Sequence, residues 1–284
     1  MKTKLSILLL LASVLTLNAQ APFPNRDEIQ QFMASKTCVV LEANQFSAYN
    51  VYIQQAVGTY WNITPIEFIN TDEFDRRRRD PAYSFIILTQ TSYDRDKAGT
   101  RYNYLNLLQG KIGGLSEMPE ICAIPLSFVD DDEYDYSHKL GAILFFMQKH
   151  ASMISENPSL TGRRYLRYYN INMPKVKEKT ILVAKDDLAP AISTIDRIRA
   201  IYPHRIEIVD EAAIEKAIRE KTPNTLILHK VGPGSRRNAG LTFKMLIGTD
   251  DFDMYYYHQH TISKSRPDGL LAEDLKRMAR ARAR

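Results

Sequence analysis

Lys36-Thr37-Cys38-Val39-Val40 and Lys179-Thr180-Ile181-Leu182-Val183 are near-copies of one another, each a lysine and a threonine leading into an apolar run. Continuous apolar, β-branched runs predict strands buried on both faces, as in a sheet covered by helices. The stretch after each copy repeats too. Ser47 predicts the cap of a helix carrying Tyr49, Ile53, Val57 and Tyr60, and Asp187 with Pro190 predicts the start of one carrying Ile192, Ile195, Ile198 and Tyr202. Ile66-Glu67-Phe68 matches Ile206-Glu207-Ile208, Ser84 to Ile87 matches Thr225 to Leu228, and Tyr102 to Gly110 matches Leu241 to Gly248. The offset drifts in order from 143 residues (Lys36 to Lys179) to 138 (Gly110 to Gly248), which predicts a tandem duplication.

Each half therefore predicts the order β-α-β-α-β-β-α, with one or two extra strands in the first. Helix 137–155 closes the first half and helix 268–282 the second. The fold class is α/β: two tandem related units, each a mixed sheet with helices packed on it. This order resembles the anticodon-binding-type α/β unit. The resemblance lies in element order alone, with no shared signature residues, so it implies a fold and carries no function. The expected organisation is a leader over 1–20, a lead with a short helix over 21–35, a first unit over 36–157, a linker over 158–177 and a second unit over 178–284. Pro158, Gly162 and Pro174 mark the linker.

The leader is read from Lys2 and Lys4, the apolar run Leu5 to Leu17, and the small residues around Ala19-Gln20, where cleavage is expected. The run is too short to span a bilayer, and the segment resembles signal peptides of Gram-negative envelope proteins. No later apolar stretch is long enough to cross a membrane, so the mature chain is expected in the periplasm or secreted beyond it, with no transmembrane span. The formal charge is +5, and two of the lysines leave with the leader. So mild a charge in an exported chain predicts no nucleic-acid partner. The basic run Arg76 to Arg79 and the C-terminal Lys276, Arg277, Arg280, Arg282 and Arg284 read as solvated faces, the latter complementing a helix dipole.

Candidate sites are weak individually. His258 and His260 flank Gln259 on a strand-like run, so both imidazoles point to one face, and with Asp253 they form a candidate metal set. A packed aromatic strand is the favoured alternative. Cys38 and Cys122 sit in apolar strand runs, where an oxidising compartment invites a disulfide but a core strand also holds free cysteine as a small hydrophobe. Gly110, Gly113, Gly114, Gly232, Gly234 and Gly240 lie between strands and read as turns, not phosphate loops. The acidic run Asp130 to Asp135 reads as favouring the start of the helix after it, in preference to a calcium loop. No Gly-x-Ser-x-Gly elbow or other nucleophile frame occurs.

Sixteen tyrosines are the one unusual abundance. Tyr165, Tyr169, Tyr255 and Tyr257 read either as an exposed contact surface or as strand residues half-buried in a sheet. The resulting expectation is an exported, non-enzymatic envelope protein, a scaffold or assembly partner of another envelope protein, with no cofactor. The alternative is a periplasmic hydrolase or small-ligand-binding protein with its site between the two halves.

Overall fold

The computed structural model describes residues 21–93, 99–129, 136–162, 165–234 and 238–282. The leader therefore lies outside the described residues, as does the acidic run Asp130 to Asp135. Helix α1 (Arg26–Ala34) opens with a reciprocal cap between Asn25 and Glu28, which satisfies two backbone donors at once. The first half then runs β1 (Lys36–Val40), α2 (Ala48–Tyr60), β2 (Ile66–Ile69), α3 (Thr71–Arg77), β3 (Tyr83–Ser92), β4 (Arg101–Gln109), β5 (Glu120–Phe128) and α4 (Leu140–Glu156). Ser47 caps α2 as expected, accepting from the Asn50 N–H. A short α5 (Tyr165–Tyr168) and a 3-10 stretch over Tyr169–Glu178 lead to the second half. That half runs β6 (Thr180–Ala184), α6 (Ile195–Arg199), β7 (Ile206–Val209), α7 (Glu211–Arg219), β8 (Thr225–Val231), β9 (Leu241–Gly248), β10 (Met254–Thr261) and α8 (Ala272–Arg280).

Both halves are mixed α/β units, and their sheets have the same topology. The strand orders are β2-β1-β3-β4-β5 and β7-β6-β8-β9-β10. In each, the first three strands are parallel and the last two antiparallel. The order is β-α-β-α-β-β-β-α in both, so the first half has no extra strand: Met254–Thr261 completes the second sheet as Glu120–Phe128 completes the first.

Strand pairing fixes the correspondence between halves more finely than sequence matching does. Thr37 pairs with Ile66 and Ser84, while Ile181 pairs with Ile206 and Leu226. Ser84 in turn faces Gln109, and Leu226 faces Gly248. Thr37 therefore corresponds to Ile181 and Gln109 to Gly248, each one residue away from the match suggested by lysine, threonine and glycine identities. The packing agrees: Val39 joins the core with α2 and α4, and Val183 joins the core with α6 and α8. A slip of one residue would exchange the two faces of the sheet.

The halves pack in tandem. One continuous core takes in Val39, Tyr49, Ile53, Leu105 and Ile143 from the first half and Leu182, Ile214, Ile227, Phe243 and Met245 from the second. Helix α4 touches α2 and β5 on one side and α7 and β9 on the other. Phe145 stacks on Phe252 at 4.0 Å, and Phe243 lies edge-on to Tyr102 at 5.4 Å. Phe252 takes a left-handed φ of 53° in the β9–β10 turn, where its ring meets Phe145. No helix among the described residues is long and apolar enough to cross a membrane.

Candidate functional site

A cleft of about 1520 Å3 opens where the two halves meet. Its floor is made by the carboxyl ends of β6, β7 and β8 and the loops after them, the place where open α/β sheets commonly bind ligands. The first half contributes Leu126, Ser127, His138 and Lys139 to the wall.

Six largely buried ionisable side chains converge there, and Lys185, Asp186, Asp210, Glu211 and Lys264 stand exposed around them. Lys139 ends a 3-10 turn, Ser137–Lys139, that precedes α4, and its Nζ donates to Asp187 Oδ2 at 2.8 Å. Both side chains are nearly inaccessible, 4% and 12% exposed. The helix start expected at Asp187 does not form. Instead the chain makes two short 3-10 turns, Lys185–Asp187 and Pro190–Ile192, and Thr194 caps α6, which leaves Asp187 to the lysine. Burial pushes the Asp187 carboxyl up, but Lys139 and then Lys230 outweigh it and hold it below the usual carboxylate range.

Lys230 donates to Asp268 Oδ2 at 3.1 Å, and Asp268 also accepts from Thr242 Oγ1 and from the Gly234 N–H. Gly232 is required beside it: a Cβ there would meet the carboxylate of Asp268 at 2.2 Å. His138 and His229 complete the set. Burial, then the charge of Lys139, brings the imidazole pKa down to about 3 for His138 and about 4 for His229, so both rings are neutral. His229 Nε2 lies 2.9 Å from the Pro125 carbonyl. A carbonyl only accepts, so Nε2 carries the proton and Nδ1 is left as an acceptor. The six buried groups provide two ammoniums, two carboxylates and two neutral imidazoles in a partly desolvated cleft, which suits recognition of a polar small molecule.

Of the residues singled out from sequence, few meet here. His258 and His260 share one face of β10 with their rings stacked at 6.5 Å. His258 turns its Nδ1 to Asp274 at 3.1 Å, His260 Nε2 bonds the Pro267 carbonyl, and Asp253 pairs with Lys149 across the boundary between halves. The three are thus engaged separately, and among the described residues no group of three His, Cys, Asp or Glu side chains is placed to hold a metal. Cys38 and Cys122 are free and buried on opposite faces of the first sheet, Cys38 with Phe74 and Cys122 with α4, so the candidate disulfide does not form.

The candidate tyrosine surface is core. Tyr169, Tyr255 and Tyr257 are buried and Tyr165 is half-buried against the core, because each hydroxyl finds a partner that lets the ring go inside. Tyr165 seals the edge of β5 by bonding both the N–H and the carbonyl of Ala123, Tyr169 meets His150 Nδ1, Tyr255 donates to Asp251, and Tyr257 donates to Gln259. Asn170 seals β10 in the same way through the N–H and carbonyl of Tyr257. Gly232 and Gly234 line the cleft, but they lie between the strands β8 and β9, as turn glycines.

The cleft residues escape a reading of the sequence because no motif marks them. A signal is nonetheless present: His229 and Lys230 come directly after the apolar Leu226-Ile227-Leu228, and Lys244 interrupts Phe243 to Ile247, where the first half reads leucine. No protein-family model matches the chain, and neither a curated protein nor a solved structure matches it.

Proposed function

We propose that this chain is an exported protein that binds a small polar ligand in the cleft between its two halves. The observation that carries the reading is the convergence of His138, Lys139, Asp187, His229, Lys230 and Asp268 on one cleft at the carboxyl ends of parallel strands. Buried charge is costly, and such clusters concentrate where proteins bind or transform ligands. Export is supported by the order of Lys2 and Lys4, the apolar run Leu5 to Leu17 and Ala19. Of the tyrosines that could have formed a scaffold's contact surface, Tyr169, Tyr255 and Tyr257 are buried and Tyr165 is half-buried against the core, which favours the cleft as the guide.

Native mass spectrometry of the protein purified from envelope extracts tests this. The mature chain should begin near Gln20 and carry a small-molecule adduct that is lost in Ser193→Trp, which fills the cleft from a half-buried position beside Pro190. An adduct retained in that variant, or none in the wild type and no thermal stabilisation by a broad metabolite library, would refute the cleft reading.

A further inference from the structure

Lys230, Lys244 and His258 stand directly opposite one another across β8, β9 and β10. Sheets avoid like charges in such cross-strand positions. By the strand correspondence between halves, the first half holds Leu88, Leu105 and Ile124 in the same row. Leu105 and Ile124 are fully buried there, so this fold needs no charge at these places. The second half carries the basic row and balances it with Asp268 and Asp274, which come after β10. A buried ion pair seldom stabilises more than apolar residues of the same volume. The charges therefore call for a role other than holding the sheet together.

That row reaches the cleft at Lys230, and there the signs alternate. Lys139 contacts Asp187, Asp187 lies in the field of Lys230, and Lys230 contacts Asp268. All four side chains are 12% exposed or less, and their charges cancel. Lys185, Lys264, Asp186, Asp210 and Glu211 on the same walls bring the lining to four positive and five negative charges, so it offers little net attraction to a polyanion or a polycation. A molecule carrying both an ammonium and a carboxylate can exchange partners with the two pairs and leave every charge compensated. The volume, about 1520 Å3, admits more than a single amino acid.

Building on the cleft reading, we propose that the ligand is a zwitterion of amino-acid or short-peptide size, its carboxylate drawn to Lys139 and Lys230 and its ammonium to Asp187 and Asp268. The neutral imidazoles of His138 and His229 contribute hydrogen bonding without disturbing that balance.

Calorimetric titration of the mature chain tests it, using the common amino acids and a set of dipeptides. N-acetylated and C-amidated derivatives, simple carboxylates and neutral sugars serve as comparisons. At least one zwitterion should bind, and capping either end should weaken it about 30-fold or more. Asp187→Asn should weaken it about 10-fold or more. Should that variant fail to fold, Ser193→Trp tests the same cleft with all four charges in place. A sugar or a simple carboxylate that binds instead, and is lost in these variants, overturns the zwitterion and leaves the cleft reading standing. Zwitterion binding that both folded variants retain overturns the cleft reading itself. Binding indifferent to capping, or no binding by any of the amino acids and dipeptides, overturns the proposal.

Discussion

The ammonium of Lys244 donates to Oδ2 of Asp274 with neither side chain exposed to solvent at all. Asp274 also takes the Tyr256 hydroxyl on Oδ1 and the Leu271 N–H on Oδ2, so one carboxylate at the start of α8 ties that helix to β9 and β10. The corresponding place in β4 is Leu105, buried in an apolar core. Removing one partner strands the other charge in a dry environment, whereas removing both need not. Asp274→Ala should therefore cost about 3–5 kcal/mol, and the double change Lys244→Leu with Asp274→Ala should cost less than the single one. Urea unfolding of Asp274→Ala, of Lys244→Leu and of the double variant checks this, and additive losses would show that the pair is not coupled.

Acid should destabilise the fold above the range where ordinary carboxylates titrate. Burial holds His138 and His150 near a pKa of about 3 and His229 near about 4, while an unfolded imidazole titrates near about 6.5. Below about pH 6.5 the unfolded chain takes up protons that the folded chain refuses, so stability is full above that pH and is lost as pH falls toward the folded values. Each histidine contributes a slope approaching about 1.4 kcal/mol per pH unit. Glu120, raised to about 7 by burial, acts in the opposite sense over roughly the same window and offsets about one of the three. Urea midpoints should fall between pH 6.5 and 4.5, less steeply in His229→Gln, and a flat profile would contradict this account.

The two thiols are expected to stay separate. Cys38 and Cys122 occupy different cores, and burial pushes both thiols up, so neither is a ready nucleophile. Alkylation of the native protein should give no adduct, and alkylation after denaturation without reductant should give two. Mass spectrometry reads both directly, and a denatured protein that resists modification would reveal a bridge.

Gly110 closes the first sheet at a point of close backbone approach. A Cβ there would lie 2.3 Å from the Asp80 carbonyl oxygen and 2.6 Å from that of Tyr83, neither of which belongs to a side chain that could swing away. Gly110→Ala should destabilise by about 3 kcal/mol. Gly58→Ala, with nothing near its Cβ position in α2, should instead stabilise slightly. Thermal melts of the two variants should move in opposite directions.

The repeat of β-branched runs, caps and helical spacing was enough to give two mixed α/β halves. Ser47 and the apolar run from Thr37 work through neighbours a few residues away, so their effect is written locally. The registration of one half on the other was not legible, because Thr37 to Val40 is buried on both faces and an apolar run without alternation reads the same when shifted by one. The tyrosines were equally open. A ring with a polar tip suits a surface or a core, and the choice fell to acceptors such as Asp251 and the backbone of Ala123, far away in sequence for Tyr165.

By itself, then, the sequence determined most of the elements and their recurrence in two similar halves, since hydrophobic periodicity and capping act over single turns and strands. The matching number of strands in the two sheets and the start of α6 at Thr194 emerged only in the structure. Only the tertiary structure decided where the chemistry lies. Lys139 and Asp187 are 48 residues apart and come from different halves. Nothing short of packing β5 and α4 against the second sheet brings an ammonium and a carboxylate that distant to 2.8 Å inside one cleft.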